Sequence, residues 1–163
     1  MEKSFAKCQW MLKVVVILFT IHCSLFTSYA RPQLHRVDIR VVLSHNGDAR
    51  ITETRQMSID SEGTECYIGL GVFDGSEVRD LTVTDETGLQ YENVGRWDID
   101  RSRSWKAGKC GIVTKHGGYE LCWGLGDSGE RTYITSYTYT NLIHAHPDAD
   151  TIRHVFLDAD VTP

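Results

Sequence analysis

Val37, Ile39, Val41 and Leu43 alternate with Arg36, Asp38 and Arg40, the period of a half-buried strand, because successive strand side chains point to opposite faces. Beyond Asn46-Gly47, the apolar residues Ala49, Ile51, Met57 and Ile59 keep the same odd parity. Two strands whose apolar positions are all odd share a face only if paired residue numbers sum to an even number, which excludes a two-residue loop. A three-residue loop, His45-Asn46-Gly47, meets the condition and puts Gly47 at the left-handed position, where a glycine carries no steric cost. Leu43 is then predicted opposite Ala49, and Val41 opposite Ile51.

Further strands are predicted at Glu65 to Val72, Val78 to Thr84, Leu89 to Val94, Gly111 to Lys115, Tyr119 to Leu125, Thr132 to Thr140 and Ile152 to Leu157. Between them lie turn clusters: Asp74-Gly75-Ser76, Asp85-Glu86-Thr87-Gly88, His116-Gly117-Gly118 and Gly126-Asp127-Ser128-Gly129. No stretch sustains a 3.6-residue period. Short strands without helices to cover a parallel sheet point to an all-β protein, an antiparallel immunoglobulin-like β-sandwich, with a small barrel as the alternative.

The first residues follow a different logic. Lys3, Lys7 and Lys13 precede an apolar run from Val14 to Ile21, and small residues end at Ser28-Tyr29-Ala30 before Arg31-Pro32. This is the pattern of a signal-peptide helix over residues 1–30, cleaved after Ala30. The competing reading is an uncleaved anchor, but a span needs about 20 apolar residues and His22, Cys23, Ser24, Thr27 and Ser28 dilute this one. A lipoprotein through Cys23 is weaker, because His22 stands where a small residue is needed. Residues 31–163 then form one domain, a comfortable size for a single core. The stop at Val161-Thr162-Pro163, just after an apolar strand, suggests a domain incomplete at its C-terminus. Removing residues 1–30 takes away three lysines and one glutamate, moving the formal charge from −5 to −7. That acidity argues against nucleic acid or an anionic membrane surface as partner.

Cleavage also leaves three cysteines, Cys66, Cys110 and Cys122. An odd number leaves at least one thiol unpaired. A Cys110–Cys122 bridge is poorly motivated, since a tight hairpin sets Cys122 nearer Val113, and buried thiols acting as small hydrophobes are preferred. The densest group of ligand-type side chains is His144, His146, Asp148, Asp150, His154, Asp158 and Asp160. A metal needs such donors converging on one point. Pro147 breaks the strand, however, and Asp148-Ala149-Asp150 reads as a turn whose carboxylates cap backbone amides. No metal site, cofactor or catalytic residue is assigned.

Glu53 and Arg55 fall on the apolar parity of their strand, so both point inward and must pair across the sheet or return to water through a bulge. Glu53 is the carboxylate to mutate first, though no histidine or second carboxylate is placed to serve it as an acid–base partner. Trp97, Trp105, Trp123, Tyr119, Tyr133, Tyr137 and Tyr139 enrich the second half in aromatics. Tyr133, Thr135, Tyr137 and Tyr139 share a face, either as cross-strand packing or as a platform for a sugar or peptide. Ser104, Ser128 and Ser136 lack a nucleophile-elbow context, and no glycine-rich phosphate loop opens a helix. The protein is therefore not expected to be an enzyme.

The order of these pieces is similar to that of a known family. The strand–turn–strand Val37 to Glu53 with Asn46-Gly47-Asp48 and Ile51-Thr52-Glu53 is followed by Gly69 to Gly75 and Val78-Arg79-Asp80-Leu81-Thr82-Val83. Trp123 then precedes Arg131-Thr132-Tyr133 and Tyr137. Over residues 35 to 160 this resembles the extracytoplasmic N-terminal domain of bacterial predicted membrane proteins of domain-of-unknown-function family 2207. In that family the β domain is followed by transmembrane helices and often a glycine-rich tail; this chain carries neither, which agrees with a shortened copy or fragment. The resemblance implies no catalytic residues. The expected function is that of an exported interaction or sensory module at the bacterial cell envelope, periplasmic, extracellular or on the outer face of the membrane. Its partner would be a protein or glycan. The alternatives are a carbohydrate-binding module using the tyrosine face, and a metal-dependent hydrolase using His144, His146 and His154.

Overall fold

The computed structural model describes residues 33–72 and 75–157 of the chain; the predicted signal segment, Asp74, Asp158 and Asp160 lie outside them. In chain order the elements are β1 (Gln33–Leu43), β2 (Ala49–Ile59), β3 (Glu65–Gly71), β4 (Val78–Asp85), β5 (Glu92–Arg96), the short helix α1 (Arg103–Lys106), β6 (Lys109–Lys115), β7 (Gly118–Gly124), β8 (Gly129–Tyr139), β9 (Ile143–Ala145) and β10 (Asp150–Ile152). One four-stranded sheet has the order β1-β2-β8-β4, a second has β3-β7-β6-β5, and β9 and β10 form a two-stranded ribbon. Among the described residues no helix is long and apolar enough to cross a membrane.

The β1–β2 hairpin follows the parity argument. Leu43 faces Ala49 and Val41 faces Ile51. The turn closes through Ser44 N–H donating to the Asp48 carbonyl at 2.8 Å, with Gly47 at φ +86°. All the odd residues of β2 from Ala49 to Ile59 are buried. In β1 the register slips between Leu34 and Arg36, so an even-numbered residue, Leu34, packs against the core at that end.

Residues from both sheets meet in one core. Ile51 and Met57 of β2, Val83 of β4 and Tyr133 of β8 lie against Ile68 of β3 and Leu121 and Trp123 of β7. Such a core follows from period-two strands, since each sheet has one apolar face and only the other sheet can cover it. Within that face sit the two charges that the sequence placed inward. Glu53 is 1 % exposed, and Arg55 is also buried. They pair along the same strand, not across the sheet: Arg55 Nη2 and Nε donate to Glu53 Oε2 at 2.9 and 3.1 Å. The other carboxylate oxygen accepts from Tyr137 Oη at 3.0 Å. Burial, with the neighbouring Glu53 charge second, raises the Tyr137 phenol far above its ordinary value, so it remains a hydrogen-bond donor.

Four differences from the sequence expectation have physical causes. The sheets are not wholly antiparallel: β5 runs parallel to β6. A parallel neighbour requires a crossover of a dozen or so residues, and residues 97–108, including the unpredicted helix α1, supply it. The strand predicted at Leu89 to Val94 lies later, at β5, and Leu89 is exposed. The hairpin predicted around His116-Gly117-Gly118 is tighter, pairing Lys115 with Gly118 across His116-Gly117, with Gly117 at φ +81°. The strand predicted from Ile152 to Leu157 ends where it was expected to begin: β10 stops at Ile152, and Val155 and Leu157 are exposed.

Glu53→Ala leaves a buried guanidinium without its counter-charge and is expected to destabilise the fold by about 3–5 kcal/mol. Tyr137→Phe, which removes one donor, costs about 1–2 kcal/mol. Replacing Glu53 and Arg55 together by leucine recovers most of the loss, and urea denaturation of the three variants checks the ranking.

Candidate functional site

The crossover from β5 to β6 is held by charged side chains turned inward. β5 kinks at Gly95, whose φ is +72°, where the register with β6 shifts between Asn93 and Arg96. Asn93 stabilises the kink: its Oδ1 accepts from Gly95 N–H at 2.8 Å, and its Nδ2 donates to the Leu81 carbonyl of β4 at 2.8 Å. Asp98 closes the next turn, accepting from the Asp100 amide and from Arg101 Nε, each at 3.0 Å. Ser102 caps α1, its hydroxyl accepting from the Trp105 amide.

Lys106 anchors the end of the crossover. Its ammonium is buried, the residue 1 % exposed, and it donates to Ile99 O at 2.7 Å, Thr64 Oγ1 at 3.1 Å and Glu65 Oε2 at 3.0 Å. That uses all three of its donors. Trp97 Nε1 donates to the same Glu65 oxygen. Arg103 spreads its guanidinium over the Ser61, Asp60 and Gly126 carbonyls, the last at 2.6 Å. The backbone of α1 comes so close to β7 that a Cβ at Gly124 would lie 2.0 Å from the Lys106 carbonyl oxygen. Glycine is needed there for its lack of a side chain.

Above this anchored loop lies a cleft of about 1160 Å³. It is lined by Val78, Val94, Ile112 and Tyr119 together with residues of the crossover from Trp97 to Trp105. Trp97 is buried and packs at 6.1 Å against the partly buried Trp105. Two cations flank the Trp105 indole, the Arg101 guanidinium at 5.3 Å and the Lys109 ammonium at 5.7 Å from the ring centre. Each is paired in turn, Arg101 with Asp98 at 3.0 Å and Lys109 with Glu92 at 3.5 Å. Among the described residues, the exposed Arg96 guanidinium and Asp100 carboxylate at the cleft have no side-chain partner. A smaller hollow of about 380 Å³ lies over Tyr91 and Tyr133, beside Asp85 and Arg131; there Arg131 pairs with Glu86 at 2.7 Å.

The residues singled out in the sequence are distributed otherwise. Glu53 is a structural ion-pair partner. Tyr133, Tyr137, Thr135 and Tyr139 are buried in the core and leave no open platform. Among the described residues no three histidine, cysteine, aspartate or glutamate side chains converge on a metal position. His144 lies on β9, His146 Nε2 is 3.2 Å from Thr151 Oγ1, and His154 stands edge-on between Tyr139 and Phe156 at 4.8 and 4.5 Å. Cys66, Cys110 and Cys122 are free and buried, and burial pushes their thiols up to about 12, 11 and 12. Cys122 faces Gly111, not Val113, because the two-residue turn His116-Gly117 pairs Lys115 with Gly118. Ser136 donates to Ile51 O at 3.3 Å within its sheet, and Ser104 shares a hydrogen bond with Ser102. Sequence reasoning noted Trp97 and Trp105 only as part of an aromatic-rich half. It missed Lys106 and Arg103, although two tryptophans bracketing Asp98, Asp100 and Ser102 mark a structured loop.

No protein-family model and no curated protein matches this chain.

Lys106→Met keeps the packing volume but strips Glu65 of its cation. Because the Glu65 side chain is 21 % exposed, the loss is expected at the low end of the range for a broken buried pair, about 3 kcal/mol. The accompanying change in Trp97 and Trp105 emission should report loosening of the crossover. A second prediction concerns His154, both of whose ring nitrogens are buried without a partner. Burial lowers its pKa from the ordinary 6.5. The released segment therefore binds protons more readily than the packed one. Packing of the His154 ring against Tyr139 and Phe156 is complete above about pH 6.5 and weakens as the pH falls below it. The NMR ring-proton shifts of Tyr139, followed between pH 7.5 and 5, taken as about the physiological-to-acid range, should move in the native chain as the His154 contact is lost and stay flat in His154→Leu.

Proposed function

We propose that this chain is an exported, envelope-associated binding module: an immunoglobulin-like β-sandwich, without catalytic function, that recognises its partner at the cleft beside β5. The observation carrying this reading is that the cleft is built in advance. Lys106, Arg103 and Trp97 fix the crossover through the contacts at Glu65, Thr64 and the Ser61 and Gly126 carbonyls. A rigid recognition loop avoids the ordering cost that a mobile one meets on binding. Two four-stranded sheets around one core support the immunoglobulin-like description, with the parallel β5–β6 pair as its departure. Export rests on the cationic, apolar and small-residue order of residues 1–30. The likeness to the extracytoplasmic domain of domain-of-unknown-function family 2207 supports placement at the envelope.

The test has two parts. The chain is expressed in a bacterium, cells are fractionated, and the N-terminus of the accumulated form is sequenced; the reading expects it outside the cytoplasm, beginning at Arg31. Purified chain is then incubated with envelope material, beside a Trp105→Ala/Arg96→Ala variant shown by circular dichroism to be folded. The native chain should be retained and the variant released. Equal retention of the two, or retention of neither, defeats the assignment of the cleft.

A further inference from the structure

Resting on that reading, we infer that the cleft takes a neutral oligosaccharide. Three observations select this ligand class. The first is charge. Around Trp105 the cations Arg96, Arg101 and Lys109 stand with Glu92, Asp98 and Asp100, and the two outer cations are already paired with carboxylates. The local charge cancels, and the domain as a whole is acidic. Neither a polyanion, which needs a positive field, nor a polycation, which needs a negative one, is favoured at this spot.

The second observation concerns the edge of the sheet. A peptide that adds a strand needs a run of free backbone groups in unbroken register. β5 interrupts that run: Gly95 is left-handed, its amide is held by Asn93 Oδ1, and the register with β6 shifts there. The facing edge, β4, is broken likewise, with Asp80 at φ +58° and a register shift between Arg79 and Thr82. Arg50 Nη1 donates to the Asp80 carbonyl at 3.2 Å, tying up the group that the bulge turns out. Recognition at this cleft therefore falls to side chains, not to the backbone.

The third observation is what those side chains are. Trp105 and Tyr119 present aromatic surface. Arg96 offers donors and Asp100 acceptors with no side-chain partner among the described residues. An indole surface matches the C–H face of a pyranose, and an unpaired guanidinium and carboxylate match its hydroxyls, which both donate and accept. Arg101 and Lys109 over the ring and the packing on Trp97 hold the indole in place, so a sugar would meet the partly exposed remainder of an ordered side chain. A volume of about 1160 Å³ leaves space for more than one ring.

The experiment titrates the full chain with three neutral probes, cellohexaose, hexa-N-acetylchitohexaose and maltohexaose, followed by tryptophan emission and isothermal calorimetry. At least one should bind saturably with a shift in emission. Asp100→Asn and Arg96→Ala, both surface changes, should each weaken it by about tenfold, as loss of a charge-assisted hydrogen bond does. Trp105→Ala should abolish it. Should Trp105→Ala fail to fold, the two surface variants carry the decision alone. The inference is overturned if none of the three sugars binds, or if binding is indifferent to Asp100 and Arg96. If no sugar binds while envelope retention still depends on Trp105 and Arg96, the saccharide is wrong and the cleft assignment survives, with a protein partner as the occupant. If a sugar binds and retention does not depend on the cleft, it is the envelope role that fails.

Discussion

Lys106 holds together the part of this molecule that faces outward. An ammonium taken out of water is tolerated only when every proton finds an acceptor and a carboxylate stands near. Here Ile99 O, Thr64 Oγ1 and Glu65 meet that demand. The acceptors lie on two distant stretches of chain: Thr64 and Glu65 at the start of β3, Ile99 in the crossover. Satisfying one cation therefore fixes the position of the crossover on the sheet. Trp97 joins the same carboxylate, and Gly124 lets the helix backbone lie directly on β7. The cleft above is shaped by what lies beneath it.

A second buried cation works differently. Arg55 finds its carboxylate two residues away on its own strand, and Tyr137 on the neighbouring strand completes the set. This group sits inside the apolar face of the first sheet and ties β2 to β8 at mid-strand. Two residues of one strand that point to the same face are neighbours whatever the rest of the fold does. The pair is thus local in sequence, whereas the Lys106 group is assembled from distant segments.

The aromatic residues divide along the same line between inside and outside. The tyrosines of β8 alternate with Thr132, Ile134, Ser136 and Thr138, and their whole face is covered by the second sheet. They supply bulk to the core, and Tyr139 also donates to the Gly71 carbonyl at 3.1 Å. Trp105 belongs to no strand, and its position follows from the crossover, which leaves it only partly buried. Residues on regular strands are claimed by packing, and residues on an anchored connection are left partly open to solvent.

Alternation along Val37 to Leu43 and Ala49 to Ile59 determined the first hairpin down to its register, because side-chain parity and loop length must agree. It also determined that Glu53 and Arg55 face inward. The β character of the remainder was legible for the same reason. The parallel placement of β5, the shortened β10 and the cleft were decided only in three dimensions. Period-two patterns show which face of a strand is apolar; they do not show which strand lies beside it or in which direction that strand runs. The acceptors of Lys106 come from residues 64, 65 and 99, and no local pattern around Lys106 reveals them until the chain has folded back on itself.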